Sequence, residues 1–361
     1  MLAFKYISYH YLKYFFIILM ALVGFLVGFD YMENAEELSR SANLTLIYLV
    51  YKSFYAIDML LPLSLIFAMI STKIFLIRSN ALVSFFSLGY SRVDVLRPFL
   101  VVSTSIIVLF ISLHSISSFS RADEFSNNIR KNSQYLSPTR DLFFTYKDQY
   151  VYFSKMLPLQ QKAEGIRVFS VKNNSLKEVL VATSASYKEG YWHIKEADII
   201  VKPKEMDFKS SGMVIKELKD FKILKGFRPK MLDQVYEGKV NFTIINAIDA
   251  ITLLEAQNIN TSSIRAALYK IFIYPFFVPC LVVIIFFFVP ISVRFVNVSM
   301  FSFGAILATL LVWGVLFMLL ELSNNKTISS EVGVIAPIVF LFFIALKQWI
   351  KYNTTSYKKR T

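Results

Sequence analysis

The 361-residue chain has a single cysteine, Cys280, and only three histidines, His10, His114 and His193. One thiol excludes an intramolecular disulfide and any site built on several thiolates. The histidines are far apart in the sequence, and His193, beside Trp192 in a strand-like run, reads as a sheet residue. No metal site or catalytic triad is expected from them. The phosphate-cradling G-x-x-x-x-G-K-[ST], the H-E-x-x-H of zinc hydrolases and the G-x-S-x-G nucleophile elbow are all missing. Nor do His, Asp and Glu cluster at one membrane face, as an acyltransferase would need. A chain lacking all of these is not expected to be an enzyme.

What the chain has in abundance is apolar surface: 55% of its residues are hydrophobic and 16% aromatic, more than one soluble core covers. Stretches near residues 12–29, 46–77, 96–118, 268–290, 299–321 and 333–350 are apolar. Each reaches the roughly 18 to 25 residues that a hydrocarbon layer about 30 Å thick demands of a helix. Six spans put both termini on one side. The first follows Lys5 and Lys13 as in a signal peptide, but no small-residue cleavage site comes after it, and it reads as an uncleaved anchor. Lys73, Arg78, Arg92, Arg97, Arg294, Lys347 and Lys351 fall on the side of the termini. The opposite short loops hold Asp30, Glu33, Glu36, Glu37, Glu321 and Glu331 against Arg40 and Lys326. The positive-inside rule makes the termini cytoplasmic. A good part of the net charge of +14 is this topological signal and the rest is spread out, so nucleic acid is not an expected partner.

Residues 119–265 break the membrane pattern. LFFTYKDQYVYFSKM reads as two strands about a Lys-Asp turn, IRVFSVKNNSLKEVLVAT as a hairpin turning at Asn173-Asn174, and TSASYKEGYWHIKEADIIV as one turning at Glu189-Gly190. Successive hairpins without helices between them predict an antiparallel sheet that curls or doubles over, outside the cytoplasm. IINAIDAITLLEAQ changes to three-to-four spacing and predicts a helix, ended by Asn258-Ile-Asn-Thr, before a second helical run feeds the fourth span.

The loop RSNALVSFFSLGYSRVDVLRP, between the second and third spans, places Leu82, Phe85, Phe86 and Gly89 on one helical face and Asn80, Ser84, Ser87 and Ser91 on the other. A helix of about nine residues is marginal alone and needs something to pack against. Gly89 suits a left-handed helix end, and Pro98 suits the first turn of the next span. Two readings stand: an interfacial helix lying in the headgroups, or a docking helix whose phenylalanines enter a cytoplasmic partner's groove.

Three spans, a β domain and three more spans, with this loop, resemble the LptF/LptG permeases of the lipopolysaccharide-export ABC transporter over essentially the whole chain. Phe29-Asp30, NAIDAITLLEAQNIN and Lys270-Ile-Phe with Pro275 look like landmarks of that family, and LFFTYKDQYVYF followed by GIRVFSV is closer to the LptG type. The family's loop motif, acidic-Leu ending in Gly-x-Ser/Thr, falls on Ala81, Leu82 and Gly89-Tyr90-Ser91, with alanine in the acidic position. The resemblance therefore favours the docking reading, carried by Leu82, Phe85, Phe86, Gly89, Tyr90, Ser91 and Arg92. It implies a membrane α-helical fold, 3+3, with an inserted jelly-roll-like domain. The implied partners are an LptB-like ATPase dimer that uses ATP and Mg, an LptF-like second permease, and LptC-like and LptA-like bridge proteins. It also implies that lipopolysaccharide enters from the outer leaflet of the bacterial inner membrane and is expelled into the β domain, with no cofactor bound by this chain. The domains so expected are 1–118 with the coupling helix near 80–91, 119–265, and 266–361.

Charges near the membrane are the remaining candidates. Asp58, about 18 Å into the second apolar stretch, reads either as a cavity residue or as an interfacial charge. Lys52 and Lys270 could meet lipid phosphates or simply snorkel. The resemblance implies basic residues at the outer end of the first span, where this chain has Asp30, Glu33, Glu36 and Glu37; that acidic cluster is expected to face away from the lipid or hold a divalent cation. Tyr150, Tyr152 and Trp192 are the expected lipid path in the sheet, although a closed core would read the same. A permease for another lipid or lipoprotein, and a membrane-anchored sensor or scaffold, are the alternatives; the sensor reading wants a larger cytoplasmic domain than these short segments provide.

Overall fold

The computed structural model describes residues 2–38, 41–130, 139–146, 149–157, 161–172, 175–202, 213–225, 243–255, 261–288, 297–325 and 327–358. The expected turns at Lys147-Asp148 and Asn173-Asn174, and the helix end at 258–260, lie outside these residues. The chain divides into two units, Met1–Arg130 with Arg265–Thr361, and Lys131–Ile264.

Among the described residues six helices are long and apolar enough to cross a membrane: Leu2–Glu33, Ala42–Arg78, Arg92–Leu113, Ile264–Phe288, Val298–Asn324 and Glu331–Asn353. Counted within them and between them, the helical elements of the first unit begin with α1 (Leu2–Glu33), α2 (Ala35–Leu38), α3 (Ala42–Arg78), α4 (Ala81–Ser87), α5 (Arg92–Leu113), α6 (Ser117–Ser120) and α7 (Ala122–Arg130). At 37 residues, α3 is about 55 Å long and overshoots a 30 Å hydrocarbon core by nearly half its length. It packs along α1, and Tyr11 Oη donates to the carbonyl of Leu65 across that contact at 3.0 Å. Both are fully buried, along with Ile66, Met69 and Phe99.

Two expectations change here. The third span starts at Arg92 and not at 96, because Ser91 caps it: its hydroxyl accepts from the Asp94 amide at 3.1 Å, and the Asp94 carboxylate accepts from the Ser91 amide at 3.0 Å. This reciprocal box fixes the helix start, so Pro98 is inside the helix and not in its first turn. The same span ends at Leu113, and the residues from 117 to 130, expected in part to open the extracytoplasmic domain, form α6 and α7 of the membrane unit. They stay there because α7 packs on α3 and Arg121 grips Glu124 through two bonds of 2.6 and 2.7 Å.

Among its described residues the second unit holds six strands: β1 (Thr139–Tyr146), β2 (Gln149–Leu157), β3 (Lys162–Lys172), β4 (Ser175–Lys188), β5 (Tyr191–Val201) and β6 (Val214–Ile223). They pair in chain order, each antiparallel to the next. Among the described strands this is a meander, and the crossing connections of a jelly roll are not among them. Glu189 and Gly190, both at positive φ (51° and 83°), make the two-residue turn that the sequence places between β4 and β5.

The curl of this sheet can be derived from one ring contact. Phe153 on β2 and Trp192 on β5 lie with ring centroids 5.3 Å apart, although a flat sheet would separate their strands by three steps, roughly 14 Å. The face carrying both rings is therefore concave. Along four neighbouring strands the buried residues come as pairs three apart: Phe153 and Met156, Ala163 and Ile166, Ala182 and Ala185, Ile194 and Ala197. The two residues between each pair point outward, so the strands kink together along one line across the sheet. Gly165 sits on that line at φ 62°, and a Cβ there would come within 2.7 Å of the Ser154 Cβ. Gly165→Ala is expected to destabilise the sheet by about 1–3 kcal/mol, combining the left-handed strain with the clash. Limited proteolysis of the full chain should show faster cleavage between residues 139 and 223; unchanged cleavage would remove the kink line from the account.

After the sheet come α8 (Ile244–Glu255), the helix expected from the change of period, and α9 (Ser262–Phe272). A turn of 3-10 helix at Tyr274–Phe276 separates α9 from α10 (Phe277–Phe288), and α11 (Val298–Asn324) and α12 (Ala336–Lys358) complete the membrane unit.

Candidate functional site

The loop between the second and third spans is a helix–corner–helix. Asn80 takes the left-handed conformation that asparagine tolerates (φ 56°) and turns α3 into α4. At the far end, the amide of Gly89 donates to Phe86 O and that of Tyr90 to Phe85 O, both at 3.1 Å, with Gly89 at φ 86°. This is a Schellman ending, and its usual apolar clasp is present as the edge-on contact of Phe85 and Tyr90, 6.0 Å between centroids. Ser91 then caps α5. The Gly-Tyr-Ser run thus ends one helix and starts the next within three residues.

Packing reverses the expected presentation of α4. Leu82 is buried, Phe85 and Phe86 are half-buried against the chain's own core, and Phe85 meets Tyr6 of α1. The apolar face seats the helix on its own molecule because that is the only surface a seven-residue helix has to hold it in place. Its outward face carries Val83, Ser84, Ser87 and Leu88, the last 75% exposed. A hollow of about 590 Å³ opens beside Leu88 and Gly89, floored by Ala3, Phe4 and Ile7 and edged by Asp94 and Arg97. Arg92 turns away from this face, its guanidinium over the ring of Tyr352 at 5.4 Å.

The four membrane charges come together as two ion pairs. Asp30 of the first span meets Lys52 of the second at 2.7 Å, and Tyr48 Oη donates to the same carboxylate. Lys52 is buried by this pairing and is not free to snorkel. Among the described residues the neighbouring acids form no group that could hold a metal ion; Glu37 faces Arg130 at 3.8 Å, and Arg130 donates to Asn34 at 3.1 Å. Asp58 of the second span lies 2.8 Å from His114 Nε2 and 3.6 Å from Lys270 Nζ, joining the second span to the end of the third and to the fourth. Counting from Arg78, Asp58 stands about 30 Å along α3.

Mutual desolvation makes the Asp30–Lys52 pair costly to break and cheap to replace as a unit. Asp30→Asn and Lys52→Met are each expected to lower the melting temperature in detergent, and the double variant to lose less than the sum, with a coupling of about 1–3 kcal/mol. Strict additivity would mean the two side chains act separately.

The three sheet residues do not share a face. Trp192 is fully buried on the concave side, whereas Tyr150 is 40% exposed and stacks on Phe143 outside. Tyr152 also points outward, between Arg167 and Asp141. Its hydroxyl donates to the Asp141 carboxylate, which holds the phenol above its ordinary range. Alternation along β2 dictates this, since Phe153 occupies the inner position next to Tyr152.

Of four further residues that matter here, His114, Pro62 and Lys73 carry no site role in the sequence reading, and Pro275 enters it only as a family landmark. His114 ends the third span and reaches Asp58 only through the fold. Pro62 lies inside α3 with no amide to give the carbonyl of Asp58, four residues earlier, and Pro275 interrupts the fourth span just after Lys270. Both prolines line a cavity of about 140 Å³ together with Asp58, His114 and Lys270. Interrupted spans beside paired charges were the available signal. Lys73, the fourth, is buried in the second span and donates to the carbonyl of Phe286 in the last turn of α10, its ammonium 3.7 Å from that ring's centroid. It thereby satisfies one of the carbonyls a helix end leaves open.

The family of lipopolysaccharide export system permeases LptF/LptG matches this chain across residues 5–351. No curated protein matches it.

Proposed function

The chain belongs to the LptF/LptG family of lipopolysaccharide export permeases, and from that premise we propose that it lifts lipopolysaccharide out of the outer leaflet of the inner membrane and delivers it to its own sheet. It is a multi-pass inner-membrane protein and a transporter subunit. In this reading both termini and α4 are cytoplasmic and the sheet is periplasmic. A dimeric, LptB-like ATPase supplies the energy by hydrolysing ATP with Mg. The observation that supports the assignment of its docking surface is the apolar hollow beside Gly89, where Leu88 at the rim and Phe4 on the floor are both exposed.

The faces left open on the first and fifth spans, with Phe16, Met20 and Phe25 on one and Met300, Phe303 and Leu311 on the other, suit an LptF-like second permease across a lipid cavity. This would make the present chain the LptG-type half. Among the described strands β1 and β6 are the edges of the sheet, and each offers unpaired backbone groups to LptC-like and LptA-like bridge proteins. Co-purification from membranes, with mass spectrometry of the bound protein and lipid, tests the reading. An ATPase and a hexa-acylated or similar lipopolysaccharide should accompany the chain; recovery of a different lipid class would move it to another cargo.

A further inference from the structure

We propose that a groove between the third, fourth and sixth spans holds one acyl chain of an anionic phospholipid from the leaflet on the side of the termini, with the lipid's phosphate beside Arg97. The inference rests on the membrane spans and does not depend on lipopolysaccharide export. α10 floors the groove with Cys280 and Val283, α5 gives one wall with Leu100 and Thr104, and α12 gives the other with Phe342 and Leu346. Small side chains make its depth. Ala345 lies between Phe342 and Trp349 at three- and four-residue spacing, so the two rings stand on either side of a gap along one helix face. Among the described residues no charged side chain lines it.

Size selects the occupant. The lining runs along α12 from Ile338 to Trp349, about 16 Å at 1.5 Å per residue and close to half of a 30 Å hydrocarbon core. A volume of about 500 Å³ over that length is a mean cross-section of about 30 Å². One hydrocarbon chain about 5 Å across fits it, since carbon atoms pack about 4 Å apart. A helix about 10 Å across needs roughly 80 Å². In a bilayer the neighbours of the groove are lipid tails, and leaving it empty would forfeit dispersion contacts along its whole length.

Lipid tails are alike to an apolar wall, so the choice among lipids falls to the head group. Arg97, Leu100 and Thr104 recur at three- and four-residue spacing on α5, which puts Arg97 one turn nearer the termini on the face that lines the groove. Its guanidinium meets Asp94 at 3.3 Å, and the side chain is 65% exposed. The Asp94 carboxylate is shared with the Ser91 amide, which leaves it a weak rival for the guanidinium. At the same depth Lys347 and Lys351 are exposed on the other faces of α12, so this end of the membrane unit attracts anionic lipid. Trp349, at the end of the groove, is the amphipathic ring that favours the headgroup level. A guanidinium there holds a phosphate through two parallel N–H donors.

Native mass spectrometry of the purified full chain, offered limiting amounts of an equimolar mixture of phosphatidylglycerol and phosphatidylethanolamine, tests the site. One lipid should stay bound most tightly, with phosphatidylglycerol ahead by about fivefold, the effect of one basic residue on an anionic head group. Arg97→Gln should bring the two lipids to near parity. Leu346→Trp, which fills the groove from an exposed wall position, should lose both. A preference unchanged in Arg97→Gln, or the same lipid retained in Leu346→Trp, would overturn the proposal. So would a bound polypeptide, in place of lipid, that Leu346→Trp removes. Should Leu346→Trp fail to fold, Val339→Trp fills the other end of the same groove and decides the question.

Discussion

Photo-crosslinkers placed at Trp192 or Phe153 should capture lipopolysaccharide during ATP turnover by the assembled transporter, and the same group at Tyr150 or Tyr152 should capture about tenfold less or none. The expectation follows from the curl of the sheet. Trp192 and Phe153 meet across its concave side at 5.3 Å, while Tyr150 and Tyr152 point to the opposite face. Lipid acyl chains gain about 25 cal/mol per Å² by leaving water for an apolar wall, and the concave face offers one in the buried rings of Phe153 and Trp192. Both inner rings are fully buried at rest, so a passing chain must part them. Capture should accordingly require nucleotide. Equal labelling inside and outside, or labelling indifferent to ATP, would describe a surface or a static pocket and not a path.

Replacing Leu88 by glutamate is expected to cut recovery of the ATPase at least about tenfold while leaving insertion and melting temperature unchanged. A fully buried leucine contributes about 1.5–3 kcal/mol, and a carboxylate forced into the same apolar contact costs more. Leu88 is suited to this test because it touches solvent and not the core. Leu82 is the contrasting position: Leu82→Ala removes the buried anchor of α4, should cost about 2–5 kcal/mol locally, and should lower ATPase recovery through loss of the helix itself. Phe85→Glu mixes the two effects, since Phe85 packs on both Tyr6 and Tyr90. If Leu88→Glu retains full ATPase recovery, the partner grips some other part of the cytoplasmic surface.

Membrane spans were readable because a bilayer imposes one length and one polarity on every helix that crosses it; the structure lengthens the expected stretches at most of their ends but adds and removes none among the described residues. Hairpin strands were readable for a similar reason, as alternation and a Glu-Gly turn are local properties. Which face of an element turns inward is not local. Leu82, Phe85 and Phe86 were correctly grouped on one side of α4, yet whether that side meets a partner or the chain's own first span depends on packing no helical wheel contains. Tyr152 and Phe153 show the same limit one strand position apart. Long-range pairing was the least accessible: Asp30 with Lys52, and Asp58 with His114 and Lys270, join different spans, and the sequence offered them as separate charges. The start of the third span was misplaced by a smaller oversight, because Ser91 and Asp94 form a capping box that apolar counting passes over.

The proposed transport is measured most directly in proteoliposomes holding this chain with the proposed second permease and ATPase, with lipopolysaccharide release to a soluble acceptor followed over time. Release is expected to need hydrolysable ATP and to fall to background when Leu88→Glu uncouples the ATPase. Equal release without ATP, or from the chain reconstituted by itself, would contradict an account in which force made beneath the bilayer moves the lipid through the sheet.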